Sequence, residues 1–117
     1  MMFQKNLAQE EAVQTHNGPV LLVSCPGSGK TTTMLRRINS MIESGIQARS
    51  IVMVTFTDAA AQEMKARYIK ECGDCDVVFC TIHSMCLRIL KEYSDAPVNV
   101  MPAEIQYGLL RQCFRKI

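Results

Sequence analysis

The chain has 117 residues, of which 48% are apolar, and carries 13 Lys and Arg against 11 Asp and Glu for a formal net charge of +2. This length holds one domain at most, with enough apolar material for a core, and the mild charge says little about nucleic acid. No run of 18 uncharged apolar residues occurs and the start lacks the basic-then-apolar design of a secretory signal, so no membrane span or membrane partner is expected and the cytoplasm is the expected location.

Taken in chain order, apolar runs alternate with helix-like segments, without repeats or low-complexity tracts, which predicts an α/β fold. A helix is expected over residues 8–15, followed by a short run, Val20-Leu21-Leu22-Val23, that reads as a buried parallel strand. A second helix is expected over 30–43, with Gly45 marking its end. Strands are predicted over 51–56 and 77–80, both rich in β-branched or aromatic residues, with a helix over 58–71 between them that stops at Gly73. Two further helices are expected, over 84–92 and, after Pro102, over 103–115. Right-handed crossovers would place all strand C-termini on one edge, where ligands of such sheets sit.

Between the first strand and the second helix lies Ser24-Cys25-Pro26-Gly27-Ser28-Gly29-Lys30-Thr31. A loop that wraps backbone N–H groups around phosphate oxygens needs conformations that only glycine adopts at low cost, and Gly27 and Gly29 supply them. Lys30 is placed to reach the β- and γ-phosphates, Thr31 offers its hydroxyl to Mg²⁺, and the helix starting there adds its positive dipole end. The spelling therefore reads as a nucleoside-triphosphate loop rather than an ordinary Gly- and Pro-rich turn. Its first position holds Ser24, where the usual motif has Gly or Ala, and a small residue fits. Cys25 makes the loop a candidate for oxidation.

Four stretches in order resemble the amino-terminal part of superfamily 1 DNA helicases of the UvrD, Rep and PcrA type. They are Asn6-Leu7-Ala8-Gln9-Glu10-Glu11-Ala12-Val13, the phosphate loop, Val54-Thr55-Phe56-Thr57-Asp58-Ala59-Ala60-Ala61-Gln62-Glu63-Met64, and Thr81-Ile82-His83-Ser84-Met85-Cys86. The resemblance implies a P-loop NTPase of RecA-like form, a parallel sheet with flanking helices, here incomplete. Residues 1–95 would be the start of the first motor domain and 96–117 the start of a helical insertion or connector.

By this resemblance Gln9 reads adenine, since an amide can bond N6 and N7 together; a solvent-facing Gln9 is the alternative. Ser24 to Thr31 would hold ATP, and Thr32 stands where family members commonly have an Arg that helps to hold the nucleotide. Phe56, Thr57 and Asp58 would lie on the path of single-stranded DNA, Phe56 by base stacking, with core packing as its other reading. Asp58-Ala59 replaces a frequent Asn-Lys pair, and the Asp58 charge repels phosphate where Asn would donate a hydrogen bond. Thr81, His83 and Ser84 are carried over as contacts to the nucleic-acid backbone, a core histidine being the alternative for His83.

Cys72-Gly73-Asp74-Cys75 has the spacing of a zinc pair, and Cys80, His83 and Cys86 follow closely. Against zinc, 77–80 reads as a buried strand and the resemblance already accounts for His83; the six cysteines are read as thiols. The sequence contains no Asp-Glu pair after an apolar run, so the acid that holds Mg²⁺ has no candidate, and the resemblance implies that this acid, the arginines of phosphoryl transfer and the second motor domain are to be expected outside these residues. The chain thus reads as a fragment of an ATP-dependent helicase that binds ATP and Mg²⁺, hydrolyses little, needs the remaining helicase domains and self-associates through the apolar face of 103–115. A short stand-alone nucleotide- or DNA-binding regulator and a small phosphate-loop kinase are the competing readings.

Overall fold

The computed structural model describes residues 6–74 and 76–116. In chain order they form α1 (Leu7–Gln14), α2 (Lys30–Glu43), a 3₁₀ turn (Ala48–Ser50), β1 (Val52–Thr55), α3 (Asp58–Cys72), β2 (Val78–Thr81), α4 (Ile82–Tyr93) and α5 (Ala103–Arg115). Two units divide the chain, one ending at Ile82 and the other beginning at His83.

The centre of the first unit is a β-α-β hand. β1 and β2 run parallel in the register Val52↔Val78, Met53↔Phe79, Val54↔Cys80 and Thr55↔Thr81, and Val78 N–H extends the pairing to the Ile51 carbonyl at 3.1 Å. A parallel pair needs a long crossover, and α3 provides it while packing on both strands. The core gathers Leu35 and Ile38 of α2, Ile51, Tyr68 of α3 and Val77, with Met53, Met64 and Phe79 packed around them. Leu35, Ile38 and Ile42 repeat at helical spacing, so α2 turns one apolar stripe to the sheet. The Tyr68 and Phe79 rings lie tilted with centroids 5.8 Å apart, a favourable aromatic arrangement.

Helix ends follow local chemistry. α2 closes with Gly45 N–H on the Ile42 carbonyl and Ile46 N–H on the Met41 carbonyl, the paired bonds of a Schellman turn, made accessible by Gly45 at φ 99°. α3 opens on Thr57, whose hydroxyl accepts from Ala60 N–H, and stops at Gly73, φ 85°.

One expected element is absent. Residues 20–23 form no ladder with either strand, Leu21 is 88% exposed and Val23 83%, and an open groove of about 430 Å³ lies between this stretch and α1. An apolar run of this kind encodes a strand inside a sheet covered on both faces, and among the described residues the sheet holds only β1 and β2, with residues 20–23 paired to neither. The doubly flanked sheet expected from the sequence is therefore a two-stranded parallel pair here. Smaller shifts concern boundaries: Phe56 falls outside β1, and α4 begins at Ile82 directly after β2, so His83 and Ser84 sit in its first turn rather than before it.

In the second unit every residue of α5 is exposed, including Ile105, Leu109, Leu110 and Phe114. Among the described residues no helix is long and apolar enough to cross a membrane.

Candidate functional site

The segment from Ser24 to Thr31 is a tight, glycine-hinged turn that runs straight into α2. Gly27 has φ 75° and Gly29, the N-cap of α2, has φ 85° and ψ 26°, both in the left-handed region where any side chain is strained. Between them Ser28 folds back, its N–H and hydroxyl both donating to the Cys25 carbonyl at 3.2 and 2.5 Å. The first intrahelical bond of α2 runs from Thr33 N–H to the Gly29 carbonyl, 2.9 Å, and no side chain caps the helix. The amides before Thr33 consequently have no intrahelical acceptor. No acidic residue stands in this first turn, although acids are the residues a helix N-terminus favours.

Three side chains close on this turn. Lys30 Nζ donates to the Ser24 carbonyl at 3.1 Å, so the ammonium lies across the loop rather than out in solvent. Gln9 Nε2 donates to the Ser28 carbonyl at 2.7 Å, which replaces the solvent-facing alternative with a direct tie from α1 to the loop. Arg67, from α3, donates through Nη2 to the Thr32 hydroxyl at 3.3 Å. Ser24 Oγ is enclosed and has no hydrogen-bond partner among the described residues.

Gln9 keeps its place because α1 is docked on α2 at several points. Asn6 caps α1 by accepting from Ala8 N–H at 3.1 Å, Glu10 pairs with Arg36 at 2.7 Å, Arg37 donates to the Ala12 carbonyl, and His16 Nε2 meets Ser40 Oγ at 2.9 Å. Ala12 and Val13 are buried beneath these contacts. The ion pair is half-exposed and adds little by itself; the buried side chains and backbone acceptors do the docking.

A second group of candidates collects where the strands end. Thr55 and Thr81 are ladder partners, so the residues following β1 and the end of β2 share one edge of the sheet. Phe56 is 89% exposed there, which removes the core-packing alternative and leaves an aromatic face open to solvent. Thr57 is engaged as the α3 cap, and Asp58 is the acid of the first helical turn. Thr81, by contrast, is 6% exposed, so its hydroxyl is interior rather than presented. In the second unit His83 is exposed, which excludes the core-histidine alternative, and Ser84 is half-buried.

Of the cysteines weighed for zinc, Cys75 lies outside the described residues. Cys72 is exposed, Cys80 is buried in β2 and Cys86 is exposed. The described residues contain no cluster of three or more His, Cys, Asp or Glu suited to a metal ion.

Compared with known proteins, residues 5–109 match the family model of the UvrD/REP helicase N-terminal domain. The chain belongs to this family. Similar relatives include the ATP-dependent DNA helicase PcrA of Staphylococcus aureus (strain Mu50 / ATCC 700699), 42% identical over 93 residues, and that of Bacillus subtilis (strain 168), 44% identical over 93 residues. In both, the alignment covers 77% of this chain and 13% of the relative, so the UvrD/REP portion seen here spans about 13% of the length of the curated relatives it matches. Sequence reasoning passed over Arg67. The signal was available: Ala61, Met64 and Tyr68 mark the inward stripe of α3, and Arg67 stands beside it at helical spacing.

Proposed function

We propose that the chain is the ATP-binding portion of an ATP-dependent DNA helicase, with nucleotide held by the turn from Ser24 to Thr32 and single-stranded DNA meeting the edge that carries Phe56. The observation that carries the nucleotide reading is the hinged turn itself. Two left-handed glycines expose backbone at the start of an uncapped helix, and Lys30 is already folded over it without a carboxylate to neutralise it. The donor set suits a polyphosphate: backbone N–H groups, one ammonium, and hydroxyls from Thr31 and Thr32. A bound Mg²⁺ would join phosphate oxygens to the Thr31 hydroxyl and spread their negative charge.

Within this reading Lys30 exchanges the Ser24 carbonyl for phosphate oxygens. Gln9, tied to the Ser28 carbonyl at 2.7 Å, stands where its amide serves both the loop and an adenine edge, which favours ATP over GTP. The exposed Phe56 ring offers a stacking surface that any base satisfies, and contributes sequence-independent strand binding. Hydrolysis and movement along DNA belong to the larger protein whose remaining domains complete the catalytic set.

Isothermal titration of a non-hydrolysable ATP analogue with Mg²⁺ tests the assignment. Wild type is expected to bind and Lys30→Ala to lose at least tenfold in affinity, the scale of a charge-assisted contact. Equal heats from the two proteins would remove the nucleotide site.

A further inference from the structure

The first turn of α2 gathers more positive charge than the turn from Ser24 to Thr31 accounts for. Besides Lys30 it receives the guanidinium of Arg67, delivered from α3 across 35 positions of sequence and held on Thr32 Oγ1 at 3.3 Å. Both cations stand at the positive end of a helix dipole, where cations are unfavourable, and no acid of that turn offsets them. Among the described residues the one ion pair joins Arg36 to Glu10, so Arg67 has no carboxylate. The Thr32 hydroxyl is a neutral acceptor and engages a single one of the five guanidinium donors. Ser24, whose carbonyl accepts from Lys30, also has its Oγ enclosed and without a hydrogen-bond partner among the described residues. Two cations, open amides and an orphaned hydroxyl around one turn amount to a site whose missing component is an anion.

Resting on the nucleotide reading above, we infer that Arg67 is a further nucleotide-binding residue, directed by Thr32 onto the phosphate chain of a nucleoside di- or triphosphate. A guanidinium is suited to this position because its planar fork meets two phosphate oxygens at once, whereas an ammonium acts as a point charge. Thr32 adds orientation: its hydroxyl fixes one N–H and leaves the remaining donors for the ligand. α3 thereby contributes to the nucleotide site a charge that α2 lacks at position 32, where Thr32 stands.

The test compares wild type, Arg67→Gln, Arg67→Lys and Thr32→Val by displacement of a fluorescent ATP analogue with ATP, ADP and adenosine in the presence of Mg²⁺. Thermal melts and affinities at several salt concentrations accompany it. Expected are about a tenfold loss of ATP and ADP affinity in Arg67→Gln, the size of one charge-assisted contact, and partial recovery in Arg67→Lys. A smaller loss is expected in Thr32→Val. Adenosine binding and the melting midpoint are unchanged, and the salt dependence of ATP binding is shallower in Arg67→Gln than in wild type. If wild type binds ATP and Arg67→Gln binds it equally, the inference falls while the nucleotide site stands. Equal losses for ATP and adenosine, or a loss that follows a lowered melting midpoint, would make Arg67 a helix-to-helix strut and overturn it as well. If wild type binds no nucleotide, the reading beneath it fails first. Should Arg67→Gln weaken only oligonucleotide binding, the charge serves the DNA path and not this site.

Discussion

At Gly29 the constraint is purely one of backbone. The residue sits at φ 85°, yet a Cβ built there meets nothing within 4 Å, so no collision would oppose a side chain. Gly29→Ala should therefore lose about 1–2 kcal/mol through the left-handed penalty alone, measured by urea denaturation, and nucleotide affinity should fall with it as the turn relaxes. Unchanged stability would mean that the turn adopts another conformation in solution. Asp58 presents the opposite case, a residue that suits its helix and not its proposed ligand. As the acid of the first turn of α3 it is favoured by the helix dipole, but it stands two residues from the exposed Phe56. Asp58→Asn keeps a residue compatible with the helix start and removes the repulsion, so fluorescence anisotropy on labelled oligo-dT should show tighter binding; no tightening would discard the electrostatic argument.

Among the elements, α2 carries both the core and the loop, and its stripe makes the dependence measurable. Leu35 is fully buried against Tyr68 and Val77, so Leu35→Ala removes packing that the parallel pair cannot recover by collapsing, at a cost of about 2–5 kcal/mol in chemical denaturation. A loss below about 1 kcal/mol would show this core to be loosely packed. The same helix is legible in the sequence because each local signal agrees: glycine at its start, apolar residues at helical spacing, and Gly45 past its end. β1, α3 and β2 were readable for a similar reason, since a β-branched run, a capped amphipathic stretch and a second run specify one local unit. Residues 20–23 failed the same test because an apolar run records what a strand would bury and says nothing about whether its neighbours lie within the same stretch of chain. Within the candidate site, the glycines, Lys30 and Gln9 could be found by spacing. For Arg67 spacing gives only a place beside the inward stripe of α3, because its contact with Thr32 depends on how α3 leans on α2.

Across the whole molecule stability is unevenly distributed. The first unit concentrates the buried residues, with Leu35, Ile38, Ile51, Tyr68 and Val77 in one cluster and Ala12, Val13 and Ala61 close-packed elsewhere in the unit. In the second unit no residue of α4 or α5 is buried. α5 has 13 residues, near the length at which an isolated helix is marginal in water, and it has no buried face to compensate the entropy of ordering. Amide hydrogen exchange should therefore separate the two units: slow exchange through α2, β1, α3 and β2, set by unfolding of the core, and fast exchange along α5, set by helix fraying. Addition of Mg²⁺ and an ATP analogue should slow exchange further in the turn from Ser24 to Thr32 and the start of α2, because a ligand that binds only the folded form raises its stability by mass action. Protection of α5 equal to that of α2 would mean that its exposed side chains, Leu109, Leu110 and Phe114 among them, are covered in solution. A concentration series by sedimentation velocity would then show whether a second copy supplies that cover.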